Sequence, residues 1–261
     1  KHMDLKTVLH QIHTESGARM VPFGGWDMPV QYAGIISEVA AVRTKSGLFD
    51  VSHMGRLYIE GDSATDLLDL VLTSPASTLK IGRARYCMIC DESGGIIDDT
   101  IFYRLAETRY LLIPNAGNRV QIVNWLQSWI DNNFTGKCSL DDQTFKTSLI
   151  AIQGPQSSTI LDQICIVDNG ALPSSIRGFS WANGILQNHK VMMGRTGYTG
   201  EDGFEIVVDK STPVSNILLK FEKDALPVGK GTTYDQWLFC RHRTVPTIQG
   251  RGAIQIQTLR L

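Results

Sequence analysis

The chain has 261 residues, 43% hydrophobic and 20% charged, ordinary globular proportions that exclude disorder along its whole length. Its net charge of -1 supplies no basic stripe for nucleic acid. No run nears the ~18 consecutive apolar residues of a spanning helix, and the N-terminus has no apolar signal core, so neither nucleic acid nor a membrane is expected as a partner.

In chain order, Leu5, Val8, Leu9 and Ile12 stand at helical spacing and predict a helix over residues 4–15. A segment marked by Pro22, Gly24, Gly25 and Pro29 follows, then a helix over 34–45. Residues 49–60 read as one strand, with Val51, Leu57 and Ile59 apolar. Ser63, with Asp66 three residues on, predicts a capped helix over 63–72. Gly94-Gly95 separates apolar runs at 86–89 and 96–103, a hairpin signal. A strand at 110–113 and a helix over 117–132 follow. After 145 the pattern returns. Strands are expected at 145–153, 185–193 and 204–208, and helices over 156–164, behind Pro155, and 213–225. Such an order suits an α+β architecture with helices packed on mostly antiparallel sheet.

Cys87, Cys90, Cys138, Cys165 and Cys240 make an odd count without regular spacing, which argues against a disulfide framework. The Cys87/Cys90 pair sits in a predicted strand without a second ligand pair, so a structural role is expected. The six histidines show no ligand spacing, and no metal is expected. Ser52-His53 invites a nucleophile-and-base reading, but neighbours on a strand face opposite sides, which excludes a hydrolase triad.

Several dense strings carry a resemblance. They are Gly17-Ala18-Arg19-Met20-Val21-Pro22-Phe23-Gly24-Gly25-Trp26-Asp27-Met28-Pro29, Gly47-Leu48-Phe49-Asp50-Val51-Ser52-His53-Met54-Gly55, Gly94-Gly95-Ile96-Ile97-Asp98-Asp99, Asn115-Ala116-Gly117-Asn118, Ile152-Gln153-Gly154-Pro155 and Arg195-Thr196-Gly197-Tyr198-Thr199-Gly200-Glu201-Asp202-Gly203-Phe204-Glu205. In this order, over roughly residues 4–228, they resemble the aminomethyltransferase (T-protein) family of the glycine cleavage system. One departure is Val39, where the family usually has histidine.

The resemblance implies two intertwined α/β-sandwich modules. The first takes residues 1–50 and 140–228; the second, ferredoxin-like, takes 51–139. It implies a transferase that moves a one-carbon unit from the aminomethyl-lipoyl arm of H-protein to tetrahydrofolate and releases ammonia. The partners so implied are lipoylated H-protein and folate, in a bacterial cytoplasm or a mitochondrial matrix.

It also marks residues. Transfer to folate needs a carboxylate that orients a pterin nitrogen and stabilises charge growing there, and the family's pattern puts that role on Asp98. Strand alternation places Asp98 and Asp99 on opposite faces, so one can enter a cavity. Glu205, inside an apolar strand, needs buried partners; the matching family glutamate holds the pterin's guanidine-like edge. Tyr198 is flanked by glycines that let backbone approach a ligand, and it matches a folate contact, as does Asn115. Met54 and Tyr86 match apolar walls. On pattern alone, Tyr198, Met54 and Tyr86 also suit core packing, and Asn115 a turn.

Past residue 228 the resemblance stops. Residues 229–261 hold one acid, Asp235, against Lys230, Arg241, Arg243, Arg251 and Arg260. The family's folate-clamping arginine and its barrel-like third domain have no counterpart there, so a non-family tail and weaker folate binding are expected. Three further readings stay open at this point: another folate-dependent demethylase of the same superfamily; a related folate-binding protein that assists iron–sulfur repair, faintly echoed by Lys230-Gly231-Thr232-Thr233-Tyr234-Asp235-Gln236 without the cysteine of that signature; and a truncated, inactive folate-binding remnant.

Overall fold

A computed structural model describes residues 4–212 and 226–229. The first helix, α1 (His10–Glu15), is shorter than its apolar spacing predicts. Leu5 instead bonds across to the Gly24-Gly25 hairpin, its N–H donating to Gly25 O and its carbonyl accepting from Asp27 N. That tertiary pairing takes the first turn out of the helix. The hairpin joins β1 (Arg19–Phe23) to β2 (Trp26–Gln31). Both its turn residues have positive φ, 56° and 83°, the conformation that two-residue turns require and glycine supplies without strain. Helix α2 (Ile35–Thr44) and strand β3 (Gly47–Asp50) follow.

The single strand expected over 49–60 is two strands in two sheets. After β3 the chain turns through 51–56 and starts β4 (Leu57–Glu60). Arg56, fully buried, explains the break. Its guanidinium donates to the carbonyls of Ser52, Met54, Thr144 and Thr147 and to Thr147 Oγ1, satisfying backbone groups that a continuous strand would have paired. Burial lowers its pKa to about 10, so it stays charged at neutral pH. Ser52 and His53 therefore lie in a turn; Ser52 Oγ donates to Leu149 O and accepts from Leu149 N, which leaves the exclusion of a triad standing on different ground. Asp50 is tied to His13 Nε2 at 2.9 Å and to Ser52 N. Burial alone would raise its pKa, but hydrogen bonds and charge from His13 hold it well below the usual carboxylate range.

Helix α3 (Ala64–Val71) has Ser63 at its N-cap without a side-chain capping bond, so the expected capping box does not form. Burial of Leu67, Leu68 and Val71 holds the helix instead. Strands β5 (Ala84–Cys90), β6 (Ile96–Ala106) and β7 (Arg109–Pro114), helix α4 (Arg119–Asn133) and β8 (Ser139–Asp142) follow. They build an antiparallel five-stranded sheet in the order β5-β6-β7-β4-β8. Helices α3 and α4 cover one face, with Ile122, Leu126 and Ile130 of α4 buried in that core.

The second sheet takes β9 (Thr147–Gln153), β10 (Cys165–Val167), β11 (Trp181–Leu186), β12 (His189–Gly194), β13 (Gly203–Asp209) and β14 (Leu226–Pro227), with α5 (Ser157–Ile164) between β9 and β10. Its order is β10-β11-β12-β13-β9-β3-β14, antiparallel except for β14 beside β3. The strand expected over 185–193 is a hairpin. It reverses at Gln187 (φ 49°) and Asn188 (φ 71°), a turn without the glycine that would have announced it. The helix expected over 213–225 and residues 230–261 lie outside the described residues. Val228 and Gly229 are buried, and Gly229 N donates to Glu38 Oε2 at 2.8 Å.

The two sheets meet through a shared core. Phe49, Val51, Leu149, Ala151 and Val207 come from the seven-stranded side, and Ala84, Tyr103, Leu111 and Ile113 from the five-stranded side. No described helix is long and apolar enough to cross a membrane.

Candidate active site

A cavity of about 520 Å³ opens at the edge of that shared core. Its floor is apolar or tightly packed: Val51, His53 and Ile113 are each at most 3% exposed. Its rim is aromatic, formed by Tyr86 from β5, Phe179 from the loop before β11 and Tyr198 from the loop between β12 and β13. Phe23, on the β1–β2 hairpin, closes one side and packs edge-to-face on His53. Five residues marked in the sequence, Met54, Tyr86, Asn115, Tyr198 and Glu205, line this one cavity.

The sixth, Asp98, does not. It is 4% exposed, and its carboxylate is consumed by neighbours. Oδ2 accepts from Asn115 N at 2.8 Å; Oδ1 accepts from Asn115 Nδ2 at 2.9 Å and Asn118 Nδ2 at 2.8 Å. Alternation does separate the two acids, but Asp99 is the one on the cavity wall. The expected placement of Asp98 is thus reversed. The reason is the turn between β7 and α4: the Asn115 backbone and the Asn115 and Asn118 amides surround the Asp98 carboxylate and hold it buried. Asn115 Nδ2 also reaches Asp99 Oδ1 at 3.1 Å, and Tyr86 donates its hydroxyl proton to Asp99 Oδ2. Burial first, then the Asp99 carboxylate, push the Tyr86 phenol up, so it stays a donor across the neutral range.

A second carboxylate faces the same cavity from β13. Glu205 Oε2 accepts from Thr196 Oγ1 at 2.6 Å and from Tyr103 Oη at 3.5 Å. Tyr103 and Thr196 are themselves 2.7 Å apart and buried. Neither was marked in the sequence, because their link to Glu205 joins β6 to the end of β12 across the sheet interface. The intervening loop is pinned at both ends. Arg195 and Asp202 pair in a two-bond fork of 2.8 and 2.7 Å, the geometry that makes such pairs specific. Underneath, the buried Gln153 side chain donates to Thr196 O at 3.1 Å and accepts from Thr199 Oγ1 at 3.0 Å.

Among the described residues no group of three or more His, Cys, Asp or Glu could hold a metal ion. Cys87 is buried and its thiol is pushed up to about 12 by burial, which keeps it from thiolate chemistry. The site therefore offers two positioned carboxylates, hydroxyl and amide donors and aromatic faces. Those parts can hold a flat, hydrogen-bond-donating ring, steady positive charge on it and accept a proton from it.

The model of the GCVT N-terminal domain matches residues 9–225. An aminomethyltransferase of Symbiobacterium thermophilum is 42% identical over 233 residues, covering 87% of this chain and 61% of that protein. One from Listeria monocytogenes is 38% identical over 228 residues, with 87% and 61% covered. The crystal structure of the glycine cleavage system aminomethyltransferase T of Bartonella henselae superimposes with a TM-score of 0.77 at 32% identity, over 87% of this chain and 60% of that one. A heterotetrameric sarcosine oxidase from Corynebacterium shares the fold, with a TM-score of 0.51 at 16% identity over 72% of this chain and 89% of that one. The chain spans about three fifths of the length of its aminomethyltransferase relatives. With its family model matched over most of its length, the chain belongs to the GCVT N-terminal domain family.

Proposed function

We propose that this chain forms the folate-binding part of a glycine-cleavage aminomethyltransferase. In that reaction a one-carbon unit passes from the aminomethyl-lipoyl arm of H-protein to tetrahydrofolate, and ammonia leaves. The observation that carries the reading is one cavity walled by two hydrogen-bonded carboxylates, Asp99 and Glu205, under an aromatic rim.

The donor set fits the acceptor. A pterin presents an edge of N–H donors and two flat faces. Glu205, held by Thr196, meets such an edge, and Met54, Ile101 and Ile113 offer apolar walls for the faces. Tetrahydrofolate would supply the nitrogen that accepts the one-carbon unit. Asp99 is the carboxylate placed to touch it. Tyr86 and Asn115 fix its two oxygens, so it can steady positive charge, or take a proton, without reorganising. Asp98 is a positioning residue: it anchors Asn115, which in turn bonds Asp99.

Isothermal calorimetry with tetrahydrofolate tests the reading on this chain and on Glu205→Gln. The expected result is binding by the unaltered chain and about 10- to 100-fold weaker binding by the variant, the worth of a hydrogen bond to a charged group. No binding by the unaltered chain, with its fold intact by circular dichroism, would remove the proposal.

A further inference from the structure

Tyr103 is a tyrosine where packing alone asks for no more than a phenylalanine. It stands on β6, two places past Ile101 and four past Asp99, so strand alternation turns it to the same side as both. Its side chain is 1% exposed and belongs to the core that the two sheets share. A hydroxyl taken that far from water needs a partner, and the partner it has leads to the cavity.

Room for the ring is made on the other sheet. Gly194 of β12 stands directly across from Glu205 of β13. A Cβ at Gly194 would lie 2.7 Å from both Cε1 and Oη of Tyr103, a clash. Glycine at this one strand position lets a ring from the five-stranded sheet come up beside Glu205.

The hydroxyls form a chain with one direction. Thr196 Oγ1 donates its single proton to Glu205 Oε2 at 2.6 Å. Towards Tyr103 Oη, at 2.7 Å, its oxygen is then the acceptor, which makes Tyr103 the donor of that pair. The direct approach of Tyr103 to Glu205 is longer, 3.5 Å, so the phenol proton goes to Thr196. Burial, then the Glu205 charge, push the Tyr103 phenol well above its ordinary range, and the proton stays on it at neutral pH. Hydrogen bonds in such a chain polarise one another. Thr196 is fixed from behind as well, its carbonyl accepting from Gln153 Nε2 at 3.1 Å. The chain runs towards the carboxylate, so Glu205 meets a ligand as an acceptor.

We propose that Tyr103 is a positioning residue that acts through Thr196 to hold Glu205 as a fixed, ionised acceptor, and so sets the site's preference for a ring edge rich in N–H donors. The inference rests on the folate reading above. It adds the residue, on the opposite sheet, that governs selection at that edge.

Calorimetry with tetrahydrofolate, and with an analogue carrying a methyl in place of its 2-amino group, tests the role. Tyr103→Phe keeps the ring and removes the proton. It should weaken tetrahydrofolate about 3- to 10-fold, the scale of one net hydrogen bond. The analogue should lose a smaller factor, because one N–H donor to Glu205 is already gone. Thr196→Val should repeat this pattern, and Thr196→Ser should restore tetrahydrofolate binding. In the Thr196→Val background, Tyr103→Phe should cost nothing further. A merely structural tyrosine would weaken both ligands alike and add its loss to that of Thr196→Val. Either result, or unchanged tetrahydrofolate binding by Tyr103→Phe, overturns the assignment. If Tyr103→Phe does not fold, Thr196→Val carries the comparison, and equal loss of both ligands there overturns it. An unaltered chain that binds neither ligand contradicts the folate reading itself, and the positioning role falls with it.

Discussion

Asp98 and Asp99 are adjacent in sequence and unequal in environment, and that inequality decides their chemistry. Asp98 is buried and accepts three hydrogen bonds from Asn115 and Asn118, while Asp99 lines the cavity and accepts one from Tyr86 and one from Asn115. Removing the charge at Asp99 should act on the chemical step. In aminomethyl transfer assays, Asp99→Asn is expected to lower kcat by about 10²- to 10⁴-fold, the range of a positioned acid or base, with tetrahydrofolate affinity changed far less. Asp98→Asn keeps the shape but puts an amide among amide donors, so stability should drop by about 1–3 kcal/mol and kcat should fall less than in Asp99→Asn. A larger kcat loss at Asp98 than at Asp99 would restore the sequence-based assignment. Alternation along the strand was enough to say that one acid faces a cavity. Which one depends on Asn115 and Asn118, whose approach from the turn between β7 and α4 is a tertiary fact.

The loop between β12 and β13 shows how one element presents several site residues at once. Thr196 holds Glu205, and Tyr198 joins the rim. The loop lies flat on Gln153 because Gly197 and Gly203 leave room. A Cβ at Gly197 would stand 2.0 Å from Gln153 Oε1, and one at Gly203 would stand 2.5 Å from its Nε2. A double-mutant cycle on tetrahydrofolate affinity measures this arrangement. Gly197→Ala and Gln153→Ala should each weaken binding. The pair together should be no worse than the worse single change, a coupling of about 1–3 kcal/mol between touching groups. Strict additivity would mean that Gln153 does not act through the loop. The glycines beside Tyr198 were legible as places of close approach, but the approaching group was not, since Gln153 is more than forty residues away. The same distance effect hid the break at 51–56. Val51, Leu57 and Ile59 alternate as a strand should, yet Arg56 gathers carbonyls from residues near 144 and 147 and turns the chain.

At the scale of the whole molecule, the cavity exists only because two sheets share a core. β3, the turn after it and β9 bring Phe49, Val51, Leu149 and Ala151 to that core; β6 and β7 bring Tyr103, Leu111 and Ile113. The mixed, mostly antiparallel class was readable from the order of strands and helices, and the paired motifs were readable as strings. The meeting of the sheets was not, because each strand's apolar face fits either side of a core and only long-range pairing selects the partner. Hydrogen exchange of this chain with and without tetrahydrofolate tests the central claim most directly. The account predicts added protection in 84–90, 98–101, 113–118 and 195–205, segments from both sheets that border one cavity. Protection confined to one sheet, or falling outside these segments, would contradict a folate site at the sheet interface.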